Sequence, residues 1–210
     1  MDNVHTGYKF QSTAPTWGSQ YLWQPVVDIL RAEIAPGDRV FEVGCGNGAA
    51  AEMLARLGYK VTGIDSSEPG IEIARRSLPD GNFAVASAYD DLTKTYGTFP
   101  VVISLEVIEH CFWPRKFSAT VFDLLQPGGV AIISTPYHGY LKNLALALAG
   151  KFDSHWDPLW DGGHIKFWSE RTLGQLLQEA GFESVRFVRA GRIPPLAKSM
   201  IAVARKPART

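Results

Sequence analysis

The 210 residues carry 21 Lys+Arg against 21 Asp+Glu, for zero formal net charge, with 46% hydrophobic and 20% charged residues. Such a chain buries about 70% of its unfolded surface, which excludes a disordered or collagen-like protein and any need for disulfide staples. Charge balance argues against a DNA partner and disfavours RNA; residues 1–19 hold no apolar leader core and no apolar run spans a bilayer, so a cytoplasmic protein is expected.

In chain order, Gln20–Glu33 has amphipathic spacing, with Leu22, Val26, Ile29 and Leu30 on one side. Upstream, Tyr8, Phe10 and Trp17 are expected to pack under that helix, the alternative being a flap over a ligand. Short β-branched runs follow at Arg39–Val43, Lys60–Ile64, Asn82–Ala86, Val101–Leu105 and Val130–Ser134. Between them Ala49–Leu57, Pro69–Arg76 and Lys116–Leu125 carry helical spacing, which predicts an α/β fold with a parallel sheet covered on both faces. Pro36-Gly37, Pro127-Gly128-Gly129 and Gly191 read as turns. Residues 136–163 form a loop-and-helix stretch rich in Tyr, His and Trp, containing the apolar run Leu141–Ala149. Ser169 then caps a helix over Glu170–Ala180, closed by Gly181 where a left-handed residue is wanted. Ser184–Arg189 and Met200–Ala204 would finish the sheet.

The most informative stretch is Glu42-Val43-Gly44-Cys45-Gly46-Asn47-Gly48-Ala49, a strand ending in a glycine loop that opens a helix. Such loops let backbone approach a ligand closely and offer free helix N–H groups. Gly44, Gly46 and Ala49 also satisfy dinucleotide spacing, so an NAD-linked oxidoreductase is one reading. Glu42 opposes it, because a carboxylate there would repel a pyrophosphate. It favours a ligand with a cationic amino-acid head and no phosphate, as in S-adenosylmethionine. Asp65, 19 positions after Gly46, is placed to accept hydrogen bonds from both ribose hydroxyls.

Four segments together resemble the class I S-adenosylmethionine-dependent methyltransferases: Glu42–Gly48, Gly63-Ile64-Asp65, Ser104–His110 and Leu125–Gly129. The resemblance covers most of residues 39–135. It implies a doubly wound, Rossmann-like, seven-stranded and mostly parallel sheet with a reversed C-terminal hairpin. It also implies a cofactor set of Glu42, Gly44, Cys45, Gly46, Asp65, Ser66, Asp90 and Leu105. Either Asp90 or Asp91 would bond the adenine, since Ser87-Ala88-Tyr89-Asp90-Asp91 departs from the commoner Gly-Asp-Ala form. The whole chain would be one methyltransferase domain, with residues 1–35 as N-terminal flap and helix and 136–168 as lid and acceptor pocket.

If a helix begins after the fourth strand, Glu106, Glu109 and His110 fall within about 100° of one face. Two carboxylates and an imidazole make a half-shell for a hard divalent cation such as Mg²⁺, with His164 as a fourth ligand. Glu-x-x-Glu-His and a later His before an aromatic are similar to the ubiquinone-biosynthesis O-methyltransferases and to the small-RNA 2′-O-methyltransferases. The alternative is that Glu-Val-Ile-Glu-His only shapes the methionine pocket. His164 and His110 are the candidate catalytic imidazoles, with His138 nearby; His5 and His155 have no supporting context.

The acceptor pocket is assigned to Tyr137, His138, Tyr140, Trp156, Trp160 and Trp168, and Leu141–Ala149 to a lid in preference to a homodimer face or interfacial anchor. The leading reading is O-methylation of a small-molecule hydroxyl. An RNA or glycan acceptor, the NAD-linked oxidoreductase and a catalytically silent cofactor-binding subunit are the alternatives.

Overall fold

In a computed structural model, which describes Phe10, Ser12 and residues 20–208, the chain builds a seven-stranded sheet ordered β3-β2-β1-β4-β5-β7-β6. In chain order the elements are α1 (Trp23–Glu33), β1 (Arg39–Val43), α2 (Ala49–Arg56), β2 (Lys60–Asp65), α3 (Glu68–Ser77), β3 (Asn82–Val85), α4 (Thr93–Tyr96), β4 (Phe99–Leu105), α5 (Pro114–Leu124), β5 (Leu125–Pro136), α6 (Tyr140–Leu148), α7 (Phe152–Trp156), α8 (Glu170–Glu179), β6 (Ser184–Ala190) and β7 (Ser199–Arg205). Strands β1 to β5 pair in parallel, and β7 enters antiparallel to both β5 and β6. The reversed hairpin is as expected.

Strand residues alternate between two cores. Val40, Val101, Ile103 and Ile132 join α1, α2 and α3 on one face, while Phe41, Val102 and Ile133 join α5 and α8 on the other. Central strands with both faces covered read as continuous apolar runs, which is why β1 and β4 stand out in the sequence. Each fully buried Leu, Ile or Phe there contributes about 1.5–3 kcal/mol. Ser169 caps α8 in a reciprocal arrangement: its Oγ accepts from Thr172 N at 3.3 Å while Thr172 Oγ1 accepts from Ser169 N at 3.0 Å. Gly181 closes that helix at φ 104°, with the Phe122 ring 3.1 Å from where a Cβ would lie.

Pro127-Gly128-Gly129 does not break the chain into a turn. β5 starts at Leu125 opposite Phe99, Gly128 takes φ 79°, and pairing resumes at Val130 opposite Val101. A glycine free to adopt positive φ lets the strand absorb the extra residues as an irregularity. Tyr8 and Trp17 lie outside the described residues. Phe10 packs against the glycine loop: its ring would lie 2.8 Å from a Cβ on Gly46 and 2.9 Å from one on Gly70. Among the described residues no helix is long and apolar enough to cross a membrane.

Candidate functional site

The glycine loop joins β1 to α2 with positive φ at Gly44, Gly46 and Gly48. A Cβ on Gly44 would stand 2.5 Å from Val107 Cγ2, so the loop is pressed against the segment that follows β4. Ile64 O accepts from Gly44 N and Cys45 N, tying the loop to β2. Asp65 completes the tie: Oδ2 accepts from Gly46 N at 2.8 Å and Oδ1 from Ser67 N at 2.8 Å. Each oxygen keeps a second lone pair for a ligand hydroxyl. Ser66 is exposed, and Ser67, not Ser66, caps α3. Cys45 is buried beneath the loop, and Leu105 ends β4 partly buried.

Glu42 is 2% exposed, and its Oε2 is buried with no hydrogen-bond partner. Burial, then the nearby Asp65 charge, pushes its pKa up to about 8. A carboxylate with one orphaned oxygen in a glycine-walled loop fits a cationic amino-acid head, whose ammonium would supply the missing partner. Asp90 accepts from Ser87 N at 2.8 Å and so closes its own turn, while Asp91 accepts from Thr93 Oγ1 and pairs with Lys94 at 2.6 Å.

The expected helix starting at Glu106 does not form. Glu106 sits at φ 57°, a left-handed backbone costly for a residue with a Cβ, and only a 3₁₀ turn over Ile108–His110 follows. Glu106 is thereby parted from the face of Glu109 and His110. Ser134 Oγ donates to its Oε1 at 2.8 Å and accepts from its N–H at 3.0 Å. Ser199 Oγ donates to Oε2 at 3.1 Å, and with that proton spent the Tyr21 hydroxyl donates to Ser199 at 2.7 Å. Burial raises the Glu106 pKa to about 7, with the two serines and Lys142 pulling the other way.

Glu109, His110 and His164 do converge, with ligand atoms all within 4.8 Å of one another. The fit is built by backbone. Glu109 O accepts from Ile165 N at 2.9 Å and Lys166 N at 3.0 Å, clipping the segment around His164 onto the 3₁₀ turn. His110 Nδ1 donates to the carbonyls of Gly162 and Gly163 at 2.9 and 3.0 Å, which makes Nε2 the lone-pair nitrogen. Glu109 is 1% exposed with neither carboxylate oxygen in a hydrogen bond, and His164 Nε2 stands 4.0 Å from Oε1. Burial, then the Glu106 charge, raises Glu109 well above the carboxylate range; the nearby Thr135 hydroxyl and its own N–H, close but outside hydrogen-bond geometry, offset this only in part. His164 is lowered to about 4 by burial and then by neighbouring cationic groups, so its imidazole is neutral at pH 7.

The β5–α8 segment divides its aromatics. Trp160 lies edge-on to His110 at 5.5 Å between ring centroids and 5.7 Å from His164. Trp156 stacks on Phe152 at 4.3 Å and faces His138 and Phe167. Tyr137 and Trp168 are buried, whereas Tyr140 points outward. Two residues carried no weight in the sequence. His155 lies 6.0 Å from His138, and Lys142 is buried at the inner side of α6. A lysine with an asparagine beside it at the head of an apolar run was the available signal.

The fold is Rossmann-like, with two buried or half-buried acids, Glu42 and Asp65, set against the glycine loop at the end of its first two strands. A methyltransferase-domain model matches residues 18–186, and the chain belongs to that family; the family implies S-adenosylmethionine as methyl donor, which the orphaned Glu42 fits and which displaces the dinucleotide reading. Relatives include a ubiquinone biosynthesis O-methyltransferase of Dinoroseobacter shibae, 32% identical over 84% of this chain and 81% of that one. Another from Mesorhizobium japonicum is 36% identical over 58% of this chain and 50% of that one. The match thus spans about half the length of some curated relatives. A SAM-dependent methyltransferase from Methanosarcina mazei superposes with a TM-score of 0.64 at 21% identity, covering 85% of this chain and 97% of that one.

Proposed function

We propose that the protein transfers the sulfonium methyl of S-adenosylmethionine to a hydroxyl of a small molecule, assisted by a divalent cation held by Glu109, His110 and His164. One observation carries this reading: a buried carboxylate with neither oxygen in a hydrogen bond, just past the end of β4, and the imidazoles of His110 and His164 bring one ligand atom each within 4.8 Å of one another. A carboxylate and two imidazoles, with water or substrate oxygens completing the shell, suit Mg²⁺ or a similar ion. When bound, such an ion would acidify and orient the acceptor hydroxyl.

The chain's own residues supply the rest. Glu42 and Asp65 fix the amino-acid tail and ribose, which sets the direction of the methyl for in-line displacement. His110 is held in one tautomer by the Gly162 and Gly163 carbonyls, and a neutral His164 suits a ligand better than a strong base. The methyl passes to the acceptor oxygen, S-adenosylhomocysteine leaves, and the hydroxyl proton goes to solvent. Glu106 is committed to Ser134 and Ser199, so its role is to hold the loop after β4 rather than to ligate. The charge balance and the names of the relatives favour a small molecule over a polymer.

The test is labelled-methyl transfer to catechol after chelation and after Mg²⁺ is restored, with calorimetric Mg²⁺ titration of the S-adenosylhomocysteine complex. Chelation should abolish transfer, and Mg²⁺ should bind the parent but not His164→Ala. Full transfer after exhaustive chelation would overturn the cation; methyl label on nitrogen or carbon acceptors alone would overturn the hydroxyl.

A further inference from the structure

Helix α6 is built inside out. Its nine residues are Tyr140 to Leu148, and the one it buries is Lys142, 6% exposed, while Tyr140 at 78% and Leu148 at 81% face outward with Leu141 and Leu144. A helix laid on a core ordinarily does the reverse. Lysine next to a surface usually extends its stem over apolar groups and leaves the ammonium in water. Here the ammonium turns inward.

The inward position is poorly compensated. An ammonium has three donors, and Lys142 Nζ makes one hydrogen bond, to Lys198 O at 3.2 Å. Among the described residues no carboxylate lies within ion-pair distance of it, since Lys142 is in none of the salt bridges. Glu106 attracts it from farther away, but both Glu106 oxygens already accept from serines. The other groups that feel its charge are the imidazoles His138, His155 and His164, and Arg192 adds a second cation. His138 Nδ1, which Asn143 approaches, and Trp156 Nε1 are buried there without a well-formed hydrogen bond. Desolvating a cation beside a second cation is costly, and among the described residues only the Lys198 carbonyl and the more distant Glu106 offset it. The amine is lowered to about 8 by burial and then Arg192, so it is still mostly charged at pH 7.

We infer that Lys142, with Arg192 and His138, receives an anionic group of the methyl acceptor, so that the acceptor is a hydroxylated carboxylate or phosphate ester rather than a neutral molecule. This rests on the acceptor site proposed above, and it names the class of substrate that site takes. The acceptor's hydroxyl would lie toward Glu109 and His164, and its charged end toward α6. The missing partner of the buried ammonium is then supplied by the substrate, and only while the substrate is bound.

The probes are benzoate, phenyl phosphate and the neutral isostere benzamide, titrated calorimetrically into the S-adenosylhomocysteine complex. At least one anion should bind about tenfold or more tightly than benzamide, as expected of charge-assisted hydrogen bonds. Which anion wins tells carboxylate from phosphate. Lys142→Met should erase the preference and Lys142→Arg should keep it, with S-adenosylhomocysteine affinity unchanged in both. No anion preference in the parent protein, whether all three probes bind or none does, overturns the inference; so does a preference that survives Lys142→Met. The parent-protein comparison stands even where the Met variant does not fold. No methyl transfer is read, so a failure of O-methylation leaves this result intact, and equal binding of anion and amide leaves the catechol assay intact.

Discussion

The two halves of the site are assembled in opposite ways. The cofactor half is local: Asp65 reaches Gly46 across 19 residues, and the loop, strand and helix involved are consecutive. The half proposed for the acceptor is drawn from distant parts of the chain. Tyr21 reaches Ser199 across 178 residues, Ser199 reaches Glu106 across 93, and His110 reaches Gly162 across 52. Local geometry is a property of a motif, whereas the distant contacts exist only once the sheet has closed. A family can therefore keep one half nearly constant while the other is rebuilt for a different acceptor.

Breaking one half should leave the other standing. Glu109→Gln, isosteric but unable to carry charge, should cut methyl transfer by roughly 10²–10³-fold, the loss of several kcal/mol of transition-state stabilisation. Its affinity for S-adenosylhomocysteine in calorimetry should stay at the parent value. Asp65→Ala reverses the pattern: cofactor binding should weaken by about 1.5–3 kcal/mol through lost charged hydrogen bonds, with Mg²⁺ binding retained. Parallel losses in both readouts would show that the halves are one cooperative unit.

A finer test uses Glu42. Its carboxyl stays protonated up to about pH 8 in the empty loop, against an ordinary 4.5. A ligand ammonium selects the ionised form, so S-adenosylhomocysteine affinity should climb by as much as tenfold per pH unit from 6 to 8 and then level off. Glu42→Gln should remove that slope. The same raised pKa makes the ligand-free protein lose stability as pH rises through this window, because the unfolded chain has already released the proton that the folded one still holds. The smallest effect is expected at Ser169, outside both halves: Ser169→Ala should cost about 1 kcal/mol through the α8 cap, a melting shift of roughly 2–4 °C, with transfer unaffected.

The local half is also the half that could be read from sequence. β1 runs over the expected residues, the glycine loop and Asp65 meet, and the α8 cap and Gly181 close as their residue types dictate. The other half resisted for stated physical reasons. Helical spacing placed Glu106 beside Glu109, but a left-handed residue at Glu106 turns its carboxylate toward β5 and β7. Ser134, Ser199 and Tyr21 carry no pattern of their own, since a serine in a strand looks the same whether it anchors an acid or faces a neighbour. For α6, apolar periodicity turns the leucines inward, whereas the structure buries the lysine. His164 was legible because a histidine between glycines and aromatics is unusual; His155 was not, because its neighbours become neighbours only in three dimensions.

Strand β7 is the last in chain order, yet it lies in the sheet's interior, between β5 and β6, and it brings Ser199 to Glu106. During synthesis the glycine loop and its acids can therefore be complete while the ribosome is still adding the residues that anchor the opposite wall. A nascent chain stopped before Ser199 would present a finished grip for the nucleoside and an acid at Glu106 that lacks one of its two tethers. Order of translation thus leaves the second tether of Glu106 to wait for the closing hairpin of the sheet.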